Sequence, residues 1–339
     1  MSYREKNDIS KPYKQKYLDG IERIILHRQK GAEKIRQEYF KDAFTNQDKY
    51  RKDLAKMLGW PLVGYEAKEL PKVELVKLGE EDMHEIYRMS FDILDGLVMT
   101  GLFYKFKGIG KFPLSVVQHG GQGTPEHIAG FDGDTSNYND MLERVVRLGI
   151  HGFAPQLLLW NKERYELDYD RHGIDARLKR VGSSITAIEI FGIKRILDYF
   201  EEQDYVSSFG MVGLSYGGFY TLVTSALDTR IRTAVSCAFF NTRDKYGWSD
   251  WVWQNSAEKF DDAEIACLVY PRKLRIAVAD KDPLFNVVGG IESFENVKNL
   301  CEGVGTDWVE FTVFDGVHEF LKDDRAIEQF VKELKDEKF

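Results

Sequence analysis

A chain of 339 residues, 43% apolar and 30% charged, has the make-up of a soluble globular protein able to bury a sizeable core. Its 47 basic and 55 acidic side chains leave a formal charge of −8, and the positives are dispersed, which argues against nucleic acid or an acidic membrane surface as a general partner. The three cysteines, Cys237, Cys267 and Cys301, stand far apart with no CxxC pair, so neither a disulfide framework nor a zinc ribbon is expected.

The opening stretch, MSYREKNDISKPYKQKY, is polar and has no signal-peptide core. No run approaches the roughly 18 apolar residues of a membrane span. A cytoplasmic protein is the expectation. Residues 1–60 read as charged helix, with Ile21, Ile24, Ile25, Ile35 and Tyr39 recurring at about helical spacing. The run KYRKDLAKMLGWP stops at Gly59 with Pro61 beyond it. We therefore expect a helical N-terminal extension over residues 1–65, packed on a main domain of residues 66–339, and the extension is a candidate surface for homo-oligomerisation.

From residue 70 the pattern changes. VELVKL, HEIYRMSFDI and GLVMTGLFYKF read as strands joined by turns, antiparallel in arrangement. Strands and helices then alternate. FPLSVVQHG and IHGFAPQLLLW are apolar strands, residues 182–202 a helix, FGMVGLS a strand and residues 216–227 a helix. RTAVSCAFF, LRIAVAD and DWVEFTVFDG follow as strands, with helices over 288–302 and 323–336. Continuous apolar strands alternating with helices predict an α/β fold, a mostly parallel sheet covered on both faces. Residues 160–181 and 241–265 break the alternation and are expected to be loops at the carboxyl ends of strands, where such sheets build their sites.

The stretch GLSYGG sets Ser215 between Gly213 and Gly217, where an apolar strand gives way to a helix. That is the setting of a nucleophile elbow: the flanking glycines allow close approach, and the helix amino terminus favours developing negative charge. A serine needs a base, and the base an orienting carboxylate. Downstream of Ser215 the sequence holds one histidine, His318 in FDGVHEF, after the last strand. IAVADKDPLFN offers Asp280 and Asp282 for the acid. Asp282, whose turn is constrained by Pro283, is preferred, with Asp280 the alternative. The loop QHGGQGTPEH has the glycine density for an oxyanion hole, with Gly121, Gln122 and, from the elbow, Tyr216 as donors. It carries neither GK[ST] nor GxGxxG, so nucleotide binding is not expected. His119 and His127 are taken as structural, and no metal is expected. Trp160, Trp248, Trp251 and Trp253 are candidates to line a pocket that stacks a sugar face.

In the order HGGQG, GLSYGG, YPRKLRIAVADKDPLFN, FDGVHEF, the chain resembles α/β-hydrolases of the acetyl xylan esterase-like, dienelactone hydrolase-related group. The resemblance runs from about residue 50 to the end. It implies an α/β-hydrolase fold, a serine esterase with Ser215, Asp282 and His318 as its triad, and no cofactor. It also implies a small-molecule ester as substrate, with an acetyl group on a sugar as one form. A peptidase of the same fold and a non-catalytic binding module are the competing expectations.

Overall fold

The computed structural model describes residues 2–158 and 167–336. Two helices open the chain, α1 (Lys11–Phe40) and α2 (Gln47–Leu58). The predicted stop at Gly59 is present: its φ is +104°, and its N–H closes the last turn on the Ala55 carbonyl at 2.9 Å. Only glycine is comfortable there, both for the positive φ and because a Cβ would lie 2.5 Å from the Gly182 carbonyl oxygen.

Among the described residues nine strands form a single sheet in the order β1-β2-β3-β5-β4-β6-β7-β8-β9. The edge strands β1 (Lys72–Glu80), β2 (His84–Leu94) and β3 (Leu97–Phe106) are antiparallel. β3 also runs against β5 (His151–Pro155). The strands β5, β4 (Phe112–Gln118), β6 (Val206–Leu214), β7 (Ile231–Cys237), β8 (Lys273–Ala279) and β9 (Val309–Phe314) are parallel. β5 is shorter than expected: the chain leaves the sheet after Pro155.

Helices cover both faces of the parallel part, which is why its central strands read as unbroken apolar runs. Successive residues in a strand point to opposite faces. Thus Met211 packs with α2, α6 (Ile185–Glu201) and α7 (Tyr216–Leu227) in the larger core, and Val212 packs with α4 (Met141–Val146) and α10 (Arg325–Lys335) in the smaller. Phe40, Tyr50, Leu54 and Leu58 of the first two helices belong to the larger core as well. The amino-terminal half of α1 is exposed along its length. No helix among the described residues is long and apolar enough to cross a membrane.

Three short helices lie in or beside stretches expected to be loops, α3 (Pro125–Ile128), α5 (Arg171–Lys179) and α8 (Asp262–Cys267), and α4 lies in a stretch to which the sequence reading assigned no element. The last long helix before α10 is α9 (Val287–Leu300). The carboxyl ends of β4, β6, β7, β8 and β9 all open on one edge of the sheet, and the loops that follow them meet there.

Candidate active site

Ser215 follows the last residue of β6 and caps α7, with φ +59° and ψ −120°. A non-glycine residue held there is strained, and the surrounding contacts maintain it. The Ser215 N–H donates to the Cys237 carbonyl at 2.8 Å, and its own carbonyl accepts from Phe219 N at 2.9 Å. The flanking glycines are required by space. A Cβ on Gly213 would overlap the Gly217 carbonyl, and one on Gly217 would overlap the Gln118 carbonyl of the neighbouring strand. One on Gly218 would come within 2.7 Å of the Cys237 carbonyl. The sharp bend thus depends on backbones packing directly against one another.

Asp282 and His318 are brought together. His318 Nδ1 donates to Asp282 Oδ2 at 2.8 Å, and the Asp282 side chain is only 1% exposed. The other carboxylate oxygen accepts from the amides of Leu284 at 2.7 Å and Phe285 at 3.0 Å, an Asx turn that fixes the carboxylate before it meets the imidazole. The histidine ring stacks on Phe285 at 5.7 Å between centroids. Its backbone is tied down too, since Asn137 Nδ2 donates to the His318 carbonyl at 2.8 Å. The alternative acid, Asp280, faces elsewhere: it accepts from Gly316 N at 3.0 Å and braces the loop leading to His318.

Ser215 and His318 line the same cavity of about 540 Å³, together with Gly120, Gly121, Gln122 and Tyr216. The glycine loop lies directly over the serine, a Cβ on Gly120 falling 3.3 Å from Ser215 Cβ. Gly120 N donates to the Tyr138 hydroxyl at 2.9 Å and Gly123 N to the Gly120 carbonyl at 3.1 Å, so the loop is braced.

His119 supports this loop from beneath, as expected of a structural residue. Its Nδ1 donates to the Gly120 carbonyl at 2.9 Å, and its Nε2 accepts from Leu157 N at 3.2 Å. Full burial lowers its pKa to about 4, so it stays neutral. His127 donates its backbone N–H to the capping Thr124 hydroxyl at 3.1 Å and packs edge-to-face on Tyr138 at 5.4 Å, but it also lines the cavity.

The tryptophans divide. Trp248 lines the cavity beside Tyr216. Trp251 does not: it is 4% exposed and belongs to the larger core, beneath Tyr216 at 4.5 Å and Trp248 at 4.7 Å. A 3-10 turn over Ser249–Trp251 rotates it inward. Trp253 is likewise core, 7% exposed and stacked on Phe219. Trp160 lies outside the described residues.

Ser136, Asn137, Tyr138, His172, Leu214 and Leu284 complete the wall without having been singled out in the sequence. Behind it is a buried polar cluster that sequence patterns also missed. Arg171 is 2% exposed and pairs with Glu189 at 3.1 Å and with Asp250 at 2.9 Å. Its residue types sit in a polar run, and its partners are 18 and 79 positions away.

No protein-family model and no curated protein matches the chain. Solved structures do. A candidate acetyl xylan esterase from Bacteroides fragilis superposes with TM-score 0.65 at 18% identity, covering 84% of this chain and 81% of that one. A glucuronoyl esterase from Solibacter usitatus gives TM-score 0.65 at 14% identity, over 87% of this chain and 94% of that one. Acetyl xylan esterase 1 from a Thermoanaerobacterium species gives 0.56 at 17%, over 86% and 94%. At these identities the likeness establishes the fold, that of the α/β-hydrolases.

Proposed function

We propose that the chain is a serine hydrolase that cleaves carboxylic esters through an acyl-enzyme, with acetyl esters of carbohydrates as its substrate class. The observation that carries the reading is the Asp282-bound His318 sharing one cavity with a serine held at positive φ on a strand–helix elbow. In this reaction Ser215 Oγ attacks the ester carbonyl while His318 Nε2 takes its proton. Asp282 holds the other ring proton on Nδ1 and stabilises the imidazolium. The oxyanion is held by backbone amides of Tyr216 and of the Gly121–Gln122 turn, aided by the amino terminus of α7. Collapse of the tetrahedral intermediate expels the alcohol, which takes the proton from His318. Water, deprotonated by the same imidazole, then attacks the acyl-serine and releases the acid.

The sugar part of the proposal draws on the esterases that share the fold and on the lining of the cavity. Trp248 offers an apolar face, and Gln122, Asn137 and His172 offer polar groups. The test is turnover of 4-nitrophenyl acetate beside a panel of acetylated sugars and the corresponding amides. Serine-dependent hydrolysis that prefers the sugar esters supports the reading, and amide cleavage without ester cleavage would replace it with a peptidase.

We further propose that α1 pairs with a second copy of the chain. Tyr13, Tyr17, Ile21 and Ile24 are 76%, 74%, 38% and 64% exposed. At 100° per residue they continue the stripe through which Ala32 and Tyr39 pack on the body. A solitary helix of roughly 20 residues is marginal in water, and burial of this stripe in a dimer would stabilise it. Light scattering should give a mass above the 39.2 kDa of one chain. Tyr17→Glu with Ile24→Glu should return it to a monomer; a monomeric wild type would refute the pairing.

A further inference from the structure

Beneath the elbow, four segments separate in sequence meet on one buried guanidinium. The donors of Arg171 reach an acceptor in each direction: Nε to Asp250, Nη1 to Glu189 and the Leu158 carbonyl, Nη2 to Glu189 and the Tyr220 hydroxyl. The partners are as enclosed as the arginine, with Asp250 and Tyr220 at 0% and Glu189 at 3% exposure. A buried ion cluster of this kind costs desolvation and is a weak device for stability alone. What it does here is join the cavity walls. Asp250, besides pairing with Arg171, accepts from the Tyr216 hydroxyl at 3.2 Å. Tyr216 is the residue after Ser215, and the guanidinium lies 5.8 Å from the centre of its ring. Asp250 also sits in the turn that follows Trp248, whose ring forms the cavity wall beside Tyr216.

We propose that Arg171 is a positioning residue: through the Asp250 carboxylate it fixes Tyr216, and with it the amide that follows the nucleophile, while holding the Trp248 turn over the cavity. The inference rests on the serine-hydrolase reading above. Tyr216 is linked at both ends of its side chain to elements that cannot shift independently, the ring to Trp251 and the hydroxyl to Asp250. Its backbone amide is thereby preorganised for an oxyanion that exists only during reaction. Loosening this support should therefore be felt in kcat more than in KM.

Three variants test it, assayed on 4-nitrophenyl acetate well below their unfolding midpoints. Arg171→Lys keeps the charge and loses the planar fork. Tyr216→Phe removes only the hydroxyl that Asp250 accepts. Arg275→Lys, at a 5% exposed arginine paired with Glu333 on α10, is the control for loss of a buried ion pair remote from the cavity. We expect the first two to lower kcat about 10- to 100-fold, the scale of a misplaced oxyanion donor, while KM moves less than about threefold. Arg275→Lys should lose thermal stability and keep its kcat. Folded Arg171→Lys and Tyr216→Phe with wild-type kcat would overturn the proposal. If Arg171→Lys does not fold, Tyr216→Phe decides alone, because it leaves the ion cluster intact. A wild type that turns over no ester and takes up no fluorophosphonate on Ser215 would instead defeat the serine-hydrolase reading itself.

Discussion

Replacing Asp282 by asparagine changes almost nothing in size and much in chemistry. Its Oδ1 is held by the amides of Leu284 and Phe285, and asparagine can accept the same two bonds through its carbonyl oxygen. The remaining atom then becomes an NH₂ group facing His318 Nδ1, in place of the carboxylate oxygen 2.8 Å away. Two donors cannot share that contact, so the imidazole changes tautomer and carries its proton on Nε2, the atom that must accept one from Ser215. The anion that stabilises the imidazolium is lost as well. Together these effects should lower kcat by about 10³- to 10⁴-fold, or about 4–5.5 kcal/mol in the barrier. Stability should change little. Asp280→Asn is the matched comparison: its carboxylate is 39% exposed, accepts from Gly316 N and pairs with the exposed Lys281 at 3.8 Å, so kcat should stay within about threefold. Initial rates on 4-nitrophenyl acetate, with unfolding curves for each variant, make the comparison. A folded Asp282→Asn that retains more than about a tenth of wild-type kcat, or an Asp280→Asn that loses more than Asp282→Asn, would refute the reasoning.

Gly217→Ala should destabilise the fold by about 3 kcal/mol or more, read by urea unfolding, because the new methyl overlaps the Gln118 carbonyl and neither backbone can rotate away. Trp248→Ala should raise KM for acetylated sugars with little change in thermal midpoint, since this ring lines the cavity. Trp251→Ala should cost about 3–5 kcal/mol of stability, as a buried core aromatic does. The reverse pattern would contradict the division drawn between them. His151, 1% exposed, has its pKa lowered to about 4 by burial. As pH falls below about 6.5 the unfolded chain takes a proton there before the folded one, so this residue's contribution declines by about 1.4 kcal/mol per unit down to about pH 4. Asp262 and Glu264, raised to about 6 by burial, act in the opposite sense over an overlapping range. His151→Gln should therefore gain stability relative to wild type by about 1.4 kcal/mol per unit between pH 6 and 4.5. A constant difference across that range would refute the assignment.

The long elements were legible because each carries a full period of pattern. The helix expected over 182–202 runs from Ile185 to Glu201, and the strand GLVMTGLFYKF from Leu97 to Phe106. The four short helices, between four and nine residues long, are too brief for hydrophobic periodicity to declare them. Ser215, Asp282 and His318 could be singled out as candidates because they stand one, three and four residues past the ends of apolar strands, where topology brings separate loops together. The tryptophans could not be sorted. Trp248, Trp251 and Trp253 share one run of chain, and the 3-10 turn that separates wall from core has no signature in their spacing. Arg171 was invisible for a related reason. In sequence it is one charge in a polar stretch, and its place in a buried cluster is seen only from Glu189 and Asp250 packed beside it.

The central claim is that Ser215 is the nucleophile, and covalent trapping tests it most directly. Wild type and Ser215→Ala are treated with a fluorophosphonate, followed by intact mass and peptide mapping, with hydrolysis of 4-nitrophenyl acetate measured in parallel. The account predicts one adduct, on the peptide containing Ser215, with loss of turnover, and neither label nor turnover in a Ser215→Ala protein that unfolds like wild type. A label on another residue, or a Ser215→Ala protein that still hydrolyses the ester, would contradict it.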